Sequence, residues 1–188
     1  MKRTPPENSR GIDADLMARA AEGDRLAWQA LYARHRDRVF RMARRFLGDN
    51  APARDVTQEV FIALFAHAKR YRPSGSFLSF VHRLTVNRCI NLRAEAFEAK
   101  REPQADEELL RVVDERPDPE RRLDQEQTAQ TVHAALAALP ARQRMAVVLS
   151  RFEGLSYQEI AAALDCSVSS VESLLFRARR ALARTLSG

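Results

Sequence analysis

The sequence predicts an all-α protein: two small helical domains joined by a flexible acidic linker. Three observations predict it. Glycine is scarce, at 6 of 188 residues, and long stretches rich in alanine, leucine and arginine lack β-branched clusters. Apolar residues recur at helical spacing on both sides of the middle of the chain. Between them, residues 98–127, "EAKREPQADEELLRVVDERPDPERRLDQEQ", hold three prolines, no aromatic residue and an acidic excess. The domains are therefore placed at 12–97 and 128–188. Residues 1–11 read as a disordered tail, and "EELLRVV" as a short helical patch within the linker.

The elements follow in order. Asp13 or Asp15 can cap a short helix that stops near Gly23. Asp24 caps a longer one, whose apolar stripe is Trp28, Leu31, Tyr32, His35, Val39, Ala43 and Phe46, ending at Gly48. "GDNAP" is a turn, with Pro52 near the next helix start. The helix from about Ala53 to Lys69 buries Val56, Val60, Ala63 and Leu64. Its other side carries Asp55, Gln58 and Glu59 around an exposed Ile62. The loop "RYRPSGS" leads to Ser76, which caps "FLSFVHRLTVNRCINLRAEAF", apolar nearly all round at first and basic at its end.

Past the linker, a helix after Pro140 places Met145, Val148, Leu149 and Phe152 on one face, with Gly154 at its C-terminal end. Ser156 and Glu159 have capping-box spacing, and the short helix they start turns Ile160, Ala161 and Leu164 inward. "DCS" is a turn, and Ser167 caps the last helix, with Val171, Leu175, Ala178 and Leu182 along its inner stripe. The opposite face is Ser169, Ser170, Ser173, Arg177 and Arg180, with Phe176 beside them. Small hydroxyls at the start of a helix permit close approach to base edges, and arginines further along reach phosphates. This is the chemistry of a helix-turn-helix. Glu172 flanks that face and repels phosphate unless it accepts from a cytosine amine.

A formal net charge of +6 suits a polyanionic partner. The two cysteines, Cys89 and Cys166, lack CxxC spacing, so neither a disulfide framework nor a zinc site is expected. No stretch approaches the ~18 apolar residues of a membrane span, and no apolar run follows the basic N-terminus. The expectation is a soluble, cytoplasmic protein without membrane insertion. His35, His67, His82 and His133 have no metal-ligand spacing, and there is neither a Gly-rich phosphate loop nor a nucleophile motif. No enzyme, metal or cofactor is expected.

The stretch "LPARQRMAVVLSRFEGLSYQEIAAALDCSVSSVESLLFRARRAL" resembles region 4 of the extracytoplasmic-function sigma factors, the small two-domain branch of the bacterial sigma-70 family. "DVTQEVFIALFAHAKRYRPSGSFLSFVHRLTVNRCINLR" resembles region 2. The resemblance covers nearly the whole chain, in the family's order. It implies a factor that binds core RNA polymerase, through the β′ clamp helices and the β flap, recognises promoter DNA at −10 and −35 elements, and helps melt the duplex. It also implies an anti-sigma factor as a further partner.

By the same resemblance, Asp55, Gln58, Glu59 and Ile62 dock on polymerase. Lys69, Arg70, Tyr71, Arg72, Phe77, Arg83, Asn87 and Arg88 serve the −10 element, where flat rings can hold an unstacked base. Ser169, Ser170, Ser173, Phe176, Arg177 and Arg180 serve the −35 element. Phe77 and Phe80 are also natural core residues. The alternative is a conventional helix-turn-helix regulator, which binds duplex DNA without polymerase.

Overall fold

The computed structural model describes residues 7–71, 76–99 and 131–186. The first module holds α1 (Glu7–Ala21), α2 (Arg25–Leu47), α3 (Asn50–His67), a 3-10 turn over Ala68–Arg70, and α4 (Phe77–Ala99). The second holds α5 (residues 131–137), α6 (Ala141–Val147), which runs into a π-helical turn over Val148–Phe152, then α7 (Tyr157–Leu164) and α8 (Val168–Leu186). Among the described residues there is no strand. The linker expected over 98–127 lies outside the described residues from 100 onward, as does its helical patch.

Local signals fix most helix ends. The Asp24 carboxylate accepts from the backbone N–H of Leu26 and Ala27 at 2.9 and 3.1 Å, and its second oxygen holds Arg19 at 2.6 Å. Such a cap contributes about 1 kcal/mol. Gly48 closes α2 in the left-handed region, at φ 96°, which favours glycine. Asp49 caps α3. Ser76 accepts from the N–H of Ser79 to start α4. The capping box is complete: Ser156 Oγ accepts from Glu159 N, and the Glu159 carboxylate accepts from Ser156 N at 2.8 Å. Ser167 receives the N–H of Ser170 at 3.2 Å.

Besides α3, which starts at Asn50 and so takes in most of the expected "GDNAP" turn, and α5, which has no counterpart in the sequence reading, two elements depart from that reading. α1 begins at Glu7, so residues 7–11, assigned to the tail, are helical, and Asp13 and Asp15 sit inside the helix rather than at its cap. The Asp13 side chain, 7 % exposed, takes Arg34 Nε at 2.8 Å and His35 Nε2 at 3.0 Å from α2. Burial raises its pKa, but His35 and Arg34 outweigh burial and hold it below the usual carboxylate range. The second departure is Phe152, placed inward by 3.6-residue spacing. The π turn adds a residue per turn and rotates the ring out to 43 % exposure, where it lies under the Arg45 guanidinium, 4.7 Å from the ring centre.

α2 is the central helix of the first module and packs on α1, α3 and α4. Its stripe meets α3 through edge-on rings: Tyr32 against Phe61 at 4.7 Å, and Trp28 against Phe65 at 5.3 Å.

The two helical modules are present, and they pack on each other. One hydrophobic core runs from Met17 in α1 to Leu175 in α8, and α7 lies against α4. Polar contacts line the seam. Arg144 of α6, 2 % exposed, donates to the Arg45 carbonyl at 3.3 Å and covers the fully buried Phe46 ring. Arg93 of α4 donates to the carbonyls of Ala137 and Leu139 at 2.8 and 3.4 Å. Each arginine thus places a cation at a helix C-terminal end of the opposite module, where the dipole favours it. Burial lowers the Arg144 pKa to about 10, so it stays charged at neutral pH. His133 fills the space over Gly48, where any Cβ would meet its ring at 2.5 Å.

Candidate nucleic-acid interface

Three surfaces gather the residues that the sequence singled out. The first is the helix-turn-helix. α7 ends where Asp165 takes a left-handed conformation, at φ 50°, and the chain turns through Cys166 and Ser167 into α8. Val171 and Ala178 are fully buried on the inner stripe and Leu175 nearly so, which fixes the outward face. Ser169, Ser170, Ser173, Phe176, Arg177 and Arg180 are all exposed on it. Among the described residues no carboxylate pairs with Arg177, Arg180 or Arg184. Arg177 Nε reaches only the Ser173 carbonyl, and Arg180 lies over Phe176 at 5.7 Å. A shallow groove of about 400 Å³ joins Arg177, Arg180 and Arg184 to Pro140 and Gln143. The sequence reading left out Arg184, although its i+4 and i+7 spacing from Arg180 and Arg177 places it on their row, and Gln143, which lies on α6 and joins them only through packing.

The second surface is α4 and the loop before it. Arg83 and Asn87 are exposed, as is Lys69. The Arg70 side chain and Arg72 lie outside the described residues. Phe77 does not belong to the surface. It is 2 % exposed, packed against His35 at 5.1 Å and Tyr71 at 6.1 Å, because the first turn of α4 must bury one ring under α2. Its place is taken by Phe80, half-buried one turn on, which meets Tyr71 at 5.4 Å and carries the Arg83 guanidinium at 5.6 Å. Periodicity could not choose between Phe77 and Phe80, since α4 starts apolar nearly all round. Arg88 is not free. It donates to Glu59 of α3 at 3.1 Å and to Glu95 at 3.1 Å. One residue expected on DNA and one expected on polymerase therefore hold each other.

The third surface is the outer side of α3. Asp55, Gln58 and Ile62 are exposed together, with Ile62 at 59 %, while Glu59 is half-buried beside Arg88. Phe65, 62 % exposed and one turn from Ile62, extends this face; the sequence reading left it out, although its spacing from Ile62 places it there. An apolar centre ringed by acidic and amide groups suits a protein partner with basic groups.

Known proteins are similar to this chain. A model for sigma-70 region 2 matches residues 31–96, and one for sigma-70 region 4 matches residues 129–182. The chain is 38 % identical over 165 residues to the ECF RNA polymerase sigma factor SigE of Mycolicibacterium smegmatis, covering 86 % of this chain and 63 % of that protein. It is 31 % identical over 178 residues to the ECF RNA polymerase sigma-E factor of Escherichia coli K12, covering 90 % and 92 %. Its structure is similar to that of CnrH in complex with the cytosolic domain of CnrY, with a TM-score of 0.67 at 28 % identity over 94 % of this chain and 97 % of that one.

Proposed function

This chain belongs to the extracytoplasmic-function sigma factors of the sigma-70 family, and from that premise we propose how its three surfaces divide the work of promoter-directed transcription initiation. The α8 face reads the −35 element in the major groove: Ser169, Ser170 and Ser173 approach the bases, and Arg177 and Arg180 hold phosphates. Tyr71, Phe80, Arg83, Asn87 and Lys69 receive the −10 element, with the rings stacking on an unpaired base. Asp55, Gln58, Ile62 and Phe65 dock on core RNA polymerase. Nucleotide addition is the polymerase's chemistry, and this chain contributes binding energy and position. It acts where polymerase is, in the cytoplasm; no described helix is long and apolar enough to cross a membrane.

The observation that carries the reading is the α8 face: exposed, with hydroxyls at its start and arginines that no described carboxylate neutralises. The closed packing adds a requirement. Elements centred at −35 and −10 are, by those positions, about 25 base pairs apart, or about 85 Å at about 3.4 Å per step. A compact chain of this length has a radius of gyration of about 16 Å. The modules must therefore separate to hold both elements at once. A protein partner that holds them closed would act as an anti-sigma factor, and the structural neighbour CnrH is bound to the cytosolic domain of CnrY.

Reconstituted transcription tests the reading. Purified protein, core polymerase lacking any sigma factor, and genomic fragments should give discrete transcript starts that share two spaced upstream elements. Specific duplex binding with no binding to core would transfer the protein to the conventional regulators. Asp55→Ala with Gln58→Ala should weaken core binding in a pull-down while the fold is retained, and unchanged affinity would remove α3 from the docking surface.

A further inference from the structure

α2 carries a row of arginines that none of the three surfaces uses. Arg38, Arg41 and Arg45 stand at i, i+3 and i+7, so they share one side of the helix over about 10 Å. Arg34 begins the same row but is committed to Asp13. The two outer members of the trio hold a single carboxylate from the opposite module. Glu153 accepts from Arg38 Nε at 2.9 Å and lies 3.5 Å from Arg45 Nη1, with His82 Nε2 3.9 Å away. Its side chain is only 4 % exposed, although it comes from the turn between α6 and α7 rather than from a core position. Arg41 is exposed, and no described carboxylate pairs with it.

We propose that the Arg38–Arg41–Arg45 row is a binding site for the phosphate backbone of duplex DNA, and that Glu153 occupies it in the closed molecule in place of a phosphate. Two guanidiniums share one carboxylate and Arg41 is paired with none among the described residues, so the row keeps an excess of positive charge even when closed. Guanidinium forks bind phosphate and carboxylate by the same geometry, which is why one can stand in for the other. The row's length matches about three phosphate steps of a duplex strand. The adjoining helix α4 carries two further exposed polar residues, Arg83 and Asn87. Separation of the modules withdraws Glu153 and leaves the row open. The inference builds on the promoter-binding reading, but its test needs no polymerase and no promoter, so the two can fail separately.

The test is fluorescence anisotropy of a labelled non-promoter duplex with the full-length protein, across a salt series. Glu153→Gln should bind roughly tenfold more tightly than the parent, with a log–log salt slope steeper by about two to three. Adding Arg38→Ala and Arg45→Ala to Glu153→Gln should abolish that gain. Arg41→Ala in Glu153→Gln lies outside the ion pair and should lower the slope by about one at unchanged thermal midpoint, which guards against variants that merely unfold. A Glu153→Gln affinity equal to the parent's, or a gain that survives loss of Arg38 and Arg45, would overturn the proposal. So would tight binding of polyglutamate with no gain on the duplex, since the row would then be an acidic-protein site.

Discussion

The arginines of α8 and those of α2 and α4 are the same side chain in two conditions. On α8, Arg177 and Arg180 face solvent, touching only a carbonyl of their own helix and a neighbouring ring. In the first module, Arg34, Arg38, Arg45 and Arg88 are each engaged by a carboxylate: Asp13, Glu153, Glu153 and Glu59 with Glu95. Composition cannot tell these sets apart. The difference teaches that a cation's readiness for DNA is set by what already neutralises it. The α8 face can engage phosphate without rearrangement, as can exposed Arg83 on α4, whereas Arg34, Arg38, Arg45 and Arg88 must exchange one anion for another.

Four substitutions or conditions break or sharpen that contrast. The largest effect falls on the seam itself. Phe46→Ala removes a fully buried ring under Arg144 and should cost about 3–5 kcal/mol in urea unfolding. The same truncation at exposed Phe176 should leave the urea midpoint within the range of surface changes.

Acid comes next. Burial, and then the charge of Arg38, lower the His82 pKa to about 4 from an ordinary 6.5. The folded protein thus binds this proton less readily than the unfolded chain. Its contribution is complete above pH 6.5 and is lost as pH falls toward 4, a change on the order of 2–3 kcal/mol. Denaturant titrations at pH 7 and pH 4.5 should show the loss, and His82→Asn should flatten it.

Glu153→Ala leaves Arg38 and Arg45 facing each other. Both are about one-third exposed, so solvent screens them, and the expected cost is about 1–2 kcal/mol by the same urea assay. The smallest effect is on the open face. Arg177→Ala should weaken promoter binding by about 1 kcal/mol and reduce the salt slope by about one, without changing stability. An unaltered slope would exclude a phosphate contact there.

What the sequence revealed was local. Asp24, Gly48, Ser76, the Ser156–Glu159 box and Ser167 each act within a few residues of themselves, so their roles were legible and the structure places them so. The α8 face was legible for the same reason: one clear inner stripe defines its opposite. Three things were not. The π turn that exposes Phe152 has no periodic signature, because it is a break in the period. The choice of Phe77 for the core and Phe80 for the surface depends on α2 and His35, distant in sequence. The seam is the extreme case. Arg38 meets Glu153 across 115 residues, and Arg144 meets the Arg45 carbonyl across 99. A charged residue read alone looks like a solvated one. The pairing of Arg88 was hidden for a related reason: its partner Glu59 looked like part of a different surface.

The central claim is that this sigma factor is closed when free and must open to work. The most direct measurement is the distance between the modules in each state. Spin labels at Arg36→Cys on α2 and Glu172→Cys on α8, both exposed, in a Cys166→Ser background, report it by pulsed electron resonance. The free protein should give one narrow, short distance. Adding core polymerase and a cognate promoter should replace it with a distance longer by tens of ångströms, toward the about 85 Å that separates the elements. An unchanged distance in a complex that is making transcripts would contradict the account.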